Sequence, residues 1–297
     1  MRRQTLAIVS LFIVLTGGEV GLFLWLYQVE IAGNRAEAFV RQGAHASAVE
    51  QYQVALRRKP DRPELYLSLS RAMASAWRLA EAREAVSRAL ALNPRYGEAQ
   101  QFSLELAQRT GDNPGVISAA QAVLATQQGN PSARRALARA LVAVGRKNEA
   151  EAEYRGLIAR GPTDAFLFAE LAALLQAKGD VPAAEEAIRK AIKITPREDR
   201  FRLTLADLLL GRGHFAEAAE LYEQHLAQAP SDHAVRLRLA ETLMGMRALD
   251  RAATAYRSVL EQSPSDVEVR IKLARVLSWL RRYEESIAEY RRALGDS

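Results

Sequence analysis

The 297-residue chain contains no cysteine. That absence excludes a disulfide framework, a thiolate metal site, a cysteine nucleophile and the usual lipoprotein attachment residue. It leaves the redox compartment open, because a helical protein needs no disulfides anywhere. Ten prolines and 17 glycines are too few for a long disordered tract. Like charges never form a block of five. Basic residues come instead as short pairs such as Arg57-Arg58, Arg134-Arg135, Arg281-Arg282 and Arg291-Arg292. The net charge of +6 rests on 35 arginines and six lysines. A pI of about 9.7 permits counterion-release binding. Spread this way, with no aromatics interleaved, the charge argues against nucleic acid as a partner.

Long apolar runs are scarce, and the one present is N-terminal. Thr5 to Tyr27 is a 23-residue stretch with a single charge, long enough for a helix to cross the ~30 Å hydrocarbon core. Arg2 and Arg3 precede it and Glu30 follows, a flank that favours a cytoplasmic N-terminus. Residues 1–28 therefore read as a single-pass inner-membrane anchor, with the remainder periplasmic or otherwise extracytoplasmic. A cleaved signal peptide is the rival, with Thr16 to Gly18 as its processing site. It would leave Val20 to Tyr27 as an exposed apolar end, and signal cores run only ~7–15 residues. Trp25 and Tyr27 suit an aromatic belt. Inside the stretch, Gly17 and Gly21 form a G-x-x-x-G pair, with Glu19 on roughly the opposite side. Two readings stand for these three residues: contacts with a membrane partner, or a protonated acid beside tolerated glycines.

Catalytic signatures are missing as well. His45, His214, His225 and His233 show no metal-ligand spacing, and no phosphate-loop, dinucleotide or G-x-S-x-G motif occurs. Acid pairs such as Glu185-Glu186 and Glu284-Glu285 fall on outward helix faces, where solvated carboxylates belong. The expectation is a non-enzyme with no catalytic residue, no cofactor and no metal.

What is present is a register. Pro60, Pro94, Pro162, Pro196, Pro230 and Pro264 lie 34 residues, or twice that, apart. Twelve residues before each stands an alanine: Ala48, Ala82, Ala150, Ala184, Ala218 and Ala252. Units starting at 29, 63, 97, 131, 165, 199, 233 and 267 fit with no insertion. Each opens with an apolar stripe, as in Leu205-Ala206-Leu209 and Leu273-Ala274-Leu277, spaced for one helix face. Glycine follows at Gly43, Gly111, Gly145, Gly179 and Gly213, where a helix end wants a left-handed residue. The recurring alanine and a ring four later (Tyr52, Tyr154, Tyr222, Tyr256, Tyr290) mark the second helix, and proline stops it. Asp164, Asp232 and Asp266 suit N-caps, and Ser265 with Glu268 reads as a capping box.

This pattern resembles the tetratricopeptide repeat over residues 29–297, and together with the N-terminal stretch it looks like a membrane-anchored bacterial envelope member of the family. The resemblance implies an all-α, right-handed superhelical solenoid of about eight helix-turn-helix repeats, preceded by the transmembrane helix. Repeat three departs from the pattern at Ser103, Val116, Ala120 and Gln128, with Pro114-Gly115 opening its second helix. It reads as a bend or a diverged unit. Arg35 weakens repeat one, which could instead be a stalk. Arginine replaces the family's early aromatic at Arg134, Arg202, Arg236 and Arg270. These form either a binding ladder or stems covering a groove with their heads in water.

The resemblance also implies a concave face lined by first helices. Projected onto this chain, it holds Phe166, Leu203, Asp207, Leu210, Leu237, Glu241, Met244, Ile271, Arg275 and Trp279. Such a groove suits an amphipathic helix or an extended peptide of another protein. The competing reading packs several of these side chains between repeats. The family's lysine and asparagine clamp for chaperone tails is absent: Leu203 and Asp207, Leu237 and Glu241, and Ile271 and Arg275 stand in its places. The last repeat, Leu273 to Trp279 with Tyr283 and Tyr290-Arg291-Arg292, looks like repeats of envelope proteins supporting exopolysaccharide or cellulose secretion. The function implied is a membrane-anchored scaffold for a cell-envelope complex. The alternative is a cytoplasm-facing, membrane-tethered adaptor for a regulator or a nucleic-acid-linked partner.

Overall fold

The computed structural model describes residues 29–161 and 164–295. All regular structure among them is α-helical, as the periodicity requires. Eight hairpins follow the 34-residue register. The first pairs α1 (29–41) with α2 (His45–Arg58). Then come α3 (Pro63–Ser75) with α4 (Leu79–Leu92), α5 (Gly97–Arg109) with α6 (Asn113–Thr126), and α7 (Pro131–Ala143) with α8 (Lys147–Arg160). The remaining four are α9 (Ala165–Lys178) with α10 (Val181–Ile194), α11 (Asp199–Gly211) with α12 (Phe215–Gln228), α13 (His233–Gly245) with α14 (Leu249–Gln262), and α15 (Val267–Trp279) with α16 (Tyr283–Leu294). The contacts divide the chain into two compact units, residues 1–153 and 154–297.

Each hairpin turns on one left-handed residue. Gly43, Gly111, Gly145, Gly179 and Gly213 have φ between 66 and 85°. Trp77, Arg247 and Arg281 take the same place in the other three hairpins, at φ 59–62°. Only glycine adopts this conformation without a Cβ penalty, so three hairpins carry backbone strain that the other five avoid.

The core repeats with the same period. Ala48, Ala82, Ala150, Ala184, Ala218 and Ala252 are all fully buried. A side chain of one carbon lets the two helices approach, and a larger one would overpack the joint by ~1–3 kcal/mol. Ser286 holds this place in the eighth repeat and donates to the Ala274 carbonyl at 2.8 Å, which satisfies its buried hydroxyl. Tyr52, Tyr154, Tyr222 and Tyr256 close the joints at 5% exposure or less.

The two irregular repeats in the first unit keep the fold. In repeat one, Val29, Ala32 and Ala36 are buried, and Ala36 joins the cluster of Ala48, Val49 and Tyr52; the segment forms a hairpin. In repeat three, α5 and α6 have 13 and 14 residues, as their neighbours do. Asp112 caps α6 by accepting from the Gly115 amide at 3.1 Å. A Cβ on Gly115 would lie within 2.3 Å of the same carboxylate, which explains glycine there.

The N-cap assignments hold at Asp164, Asp232 and Asp266, which accept from Phe166, Val235 and Val269 amides at 2.9, 3.1 and 3.0 Å. The capping box does not: Asp266, not Ser265, is the N-cap of α15, and Glu268 pairs with Lys272 at 2.8 Å instead. The four arginines have a structural task that neither sequence reading anticipated. Each donates to the carbonyl six residues before it. Arg134 reaches Gln128 at 3.1 Å, Arg202 reaches Pro196 at 2.6 Å, Arg270 reaches Pro264 at 2.5 Å, and Arg236 reaches Pro230. These loop carbonyls follow the helix stop and have no place in a helix ladder. Arg134 and Arg270 are further tied to Glu153 and Glu289 at 2.5 and 2.6 Å.

The inner-membrane placement is corrected. Among the described residues no helix is long and apolar enough to cross a membrane. Helices α2 to α16 run to 14 residues at most, about 21 Å at 1.5 Å per residue. The stretch 5–27 lies outside the described residues, as do Gly17, Glu19 and Gly21.

Candidate functional site

The projected groove residues all fall in the second unit, on the first helices of four consecutive repeats. Phe166 is on α9; Leu203, Asp207 and Leu210 are on α11. Leu237, Glu241 and Met244 are on α13, and Ile271, Arg275 and Trp279 are on α15. Their helical neighbours Leu205, Leu209, Leu239, Leu243, Leu273 and Leu277 are buried and build the hairpin core. None of the ten projected residues is buried. Phe166, Ile271 and Trp279 are exposed by 37, 38 and 46%, Arg275 is exposed, and the others are half-buried.

Charged groups tie these helices together at a fixed offset. Lys272 donates to Glu241 at 2.7 Å, and Arg238 pairs with Asp207 in the same way one repeat earlier. In both pairs the acid precedes the base by 31 residues. The hydrogen bonds it donates to Glu241 and Glu268 hold the Lys272 ammonium well above the usual lysine range. Tyr222, buried beneath α11, donates to the other Asp207 oxygen at 2.5 Å. Burial, then the Asp207 carboxylate, raises its phenol far above the ordinary value. Tyr256 is buried at the equivalent place, and its hydroxyl has no hydrogen-bond partner. Burial, then nearby Glu241, pushes it up to about 12.

Aromatic groups mark both ends of the row. Phe166 meets Phe201 edge-on, with ring centroids 5.4 Å apart, and Arg200 lies 4.4 Å over the Phe166 ring. At the other end Arg275 and Arg247 lie 5.6 and 6.0 Å from the centre of the Trp279 ring. In each case the guanidinium is drawn to the negative face of an exposed ring, so its apolar stem covers part of the surface while its head stays in water. Sequence reasoning missed Arg238, Arg200 and Arg247. The 31-residue offset between acid and base was the available signal for Arg238.

Two other features belong to the packing. A cleft of about 460 Å³ opens between α12, α13 and α14, floored by Leu226, Leu239 and Leu243 and edged by the Arg251–Glu223 ion pair. His225 bridges Asp199 of α11 and Asp232, the N-cap of α13, the latter at 3.0 Å. Burial works against its charged form, but the two carboxylates outweigh it and raise its pKa above the ordinary value. Among the described residues no group of three His, Cys, Asp or Glu is placed to hold a metal ion.

Sequence profiles described as tetratricopeptide repeat match residues 31–100, 175–232, 209–255 and 243–296. The chain belongs to the tetratricopeptide repeat family. No curated protein matches it. A tetratricopeptide repeat protein from Parabacteroides merdae has a similar structure, with TM-score 0.54 and 16% identity over 84% of this chain and 99% of that one. MamA from Desulfovibrio magneticus RS-1 gives 0.52 and 16% over 56% of this chain and 94% of that one. A structure of Naa15/Naa10 bound to HypK-THB gives 0.59 and 16% over 89% of this chain and 42% of that one. At these identities the likeness shows the fold alone.

Proposed function

We propose that this tetratricopeptide repeat chain is a non-catalytic adaptor that holds a helix or extended segment of another protein. The seat is the surface formed by α9, α11, α13 and α15. One observation carries this reading: the ten positions projected from the family resemblance all reach solvent, while the core stripe beside each is buried. Leucine, methionine, isoleucine and tryptophan at these positions lie outside the fully buried stripe of the hairpin core. They offer apolar contact between charge pairs that are already fixed, so little ordering remains to be done on binding. The Naa15/Naa10 structure bound to HypK-THB is a precedent, within a similar fold, for a complex of several proteins. The likeness of the last repeat to those of secretion-supporting proteins makes exopolysaccharide or cellulose secretion the first assembly in which to seek the partner.

The test is retention of partner proteins by the immobilised chain and by its Leu237→Glu/Met244→Glu variant. Both residues are half-buried, so helicity by circular dichroism should be kept. Proteins retained by the parent chain and lost by the variant support the groove. Equal retention by both removes it, and loss of partners with rising salt in both would point to charge alone.

A further inference from the structure

Arg134, Arg202, Arg236 and Arg270 share one register place, and three of them face a carboxylate. Arg134 pairs with Glu153 at 2.5 Å and Arg270 with Glu289 at 2.6 Å, in each case an acid 19 residues later on the second helix of the hairpin. Arg202 has Leu221 at that place and turns to Asp199, three residues before it, at 2.6 Å. Arg236 has neither acid. Ala255 stands where Glu153 and Glu289 stand, and His233 where Asp199 does. The half-buried Arg236 guanidinium donates to the Pro230 carbonyl, but no carboxylate lies within ion-pair reach of it among the described residues.

The same exchange leaves space in the packing. The cleft of about 460 Å³ between α12, α13 and α14 is walled on α14 by Thr254, Ala255 and Ser258, with Arg236 at its edge. The corresponding residues of α12 are the larger Glu220, Leu221 and Gln224. Small side chains on α14 keep the cleft open above Leu239 and Leu243. The helices of a hairpin run in opposite directions, so Arg236 and Ser258 lie at one end, and Leu243, Asp250 and Arg251 at the other. Arg236 and Leu243 are about 10 Å apart along α13. At the far end Glu223 is held by Arg251, and the Asp250 charge acts on Arg282. The cation without a counter-charge is at the Arg236 end.

We propose that this cleft binds a small monocarboxylic acid with an apolar tail. Its carboxylate takes the place that Glu153 and Glu289 fill in their own repeats and accepts from Arg236. Ser258 is one turn from Ala255 on α14, and its hydroxyl, with no partner among the described residues, is a second donor. The tail lies along Leu239 and Leu243, in a cleft of the size that takes small ligands. A second carboxylate at the far end would meet Glu223 and Asp250, so a dicarboxylate is rejected. A partner helix fits less well: the Arg251–Glu223 pair bridges α14 and α12, and a helix ~10 Å wide would have to break it. None of the ten groove positions lines this cleft.

The probe is octanoate, titrated into the full chain by calorimetry, with octanol and octanedioate as the uncharged and doubly charged controls. Octanoate should bind about tenfold more tightly than either. Arg236→Met should weaken octanoate about tenfold and leave octanol unchanged. Ala255→Glu supplies the acid from the chain itself, as repeats four and eight do, and should abolish octanoate binding while keeping the melting temperature. Ala255→Leu, the residue repeat six carries there, fills the cleft without charge and should weaken octanoate and octanol alike, which keeps the test open if glutamate disturbs the hairpin. No binding at millimolar octanoate, equal affinity for octanol, or unchanged binding in both Ala255 variants would each overturn the assignment. So would a protein partner released by Ala255→Glu while octanoate does not bind, because the carboxylate would then be an acidic side chain. The Leu237→Glu/Met244→Glu variant should bind octanoate as the parent does, so failure of the groove and failure of this cleft are separable.

Discussion

Tyr222 donates its buried hydroxyl to Asp207 at 2.5 Å, whereas Tyr256, 34 residues later and as deeply buried, has no partner for its own. The difference traces to the acid above each ring. Asp207 is short enough to serve both Tyr222 and Arg238, while the longer Glu241 is drawn to Lys272. Removing the two hydroxyls should therefore have unequal effects. Tyr222→Phe should destabilise by about 1–2 kcal/mol through the lost charge-assisted bond. Tyr256→Phe should be neutral or stabilising, because a buried unpaired hydroxyl is removed. Urea titration of both variants checks this, and equal losses would refute the assignment.

The His225 bridge makes stability depend on pH from both sides. Its pKa is raised in the folded state. Its contribution is thus full below the unfolded value of about 6.5 and is lost as pH rises through the folded value. Asp232, lowered chiefly by the Val235 amide, and Asp199, where burial is outweighed by His225 and Arg202, behave oppositely. Their contribution is present above about 3.9 and lost as pH falls. The melting temperature should decline from pH 5.5 to pH 8. In His225→Gln that decline should flatten, and a parallel slope in the variant would exclude the bridge as its source.

Three hairpins turn on residues that are poorly suited to the left-handed conformation. Arg281→Gly removes the Cβ strain at φ 62°, worth ~1–2 kcal/mol. The freer unfolded chain returns part of that gain. A net stabilisation of about 0.5–1 kcal/mol is expected by chemical denaturation. The reverse change, Gly179→Ala at φ 85°, should destabilise by a similar amount.

The register was legible because its marks are steric. Proline stops a helix, alanine permits close approach, and both recur at fixed places. The turns at Trp77, Arg247 and Arg281 were not legible, since nothing in those residue types announces a positive φ. Hairpin packing imposed it. Likewise Arg202, Arg236 and Arg270 could be aligned from sequence, but their bonds to Pro196, Pro230 and Pro264 depend on how the loop folds back. The candidate groove positions came from the family resemblance, and the helix period only carried them along α11, α13 and α15. Whether a side chain on that face is covered depends on the neighbouring repeat, and only the fold supplies that.

The pairs Asp207–Arg238 and Glu241–Lys272 should set the spacing of the groove rather than add much stability. Lys272 is 23% exposed and Glu241 35%, so water screens part of their attraction. A double-mutant cycle with Lys272→Met and Glu241→Gln should give a coupling of about 0.5–1.5 kcal/mol. Lys272→Met alone should cost more than the double variant, because it leaves Glu241 beside the buried Tyr256 ring without its cation. If the groove holds a partner, the single variant should also weaken that binding, since the α13–α15 spacing is no longer fixed. Additive single effects, with no coupling, would mean that the two side chains only lie near each other on a surface set by the apolar core.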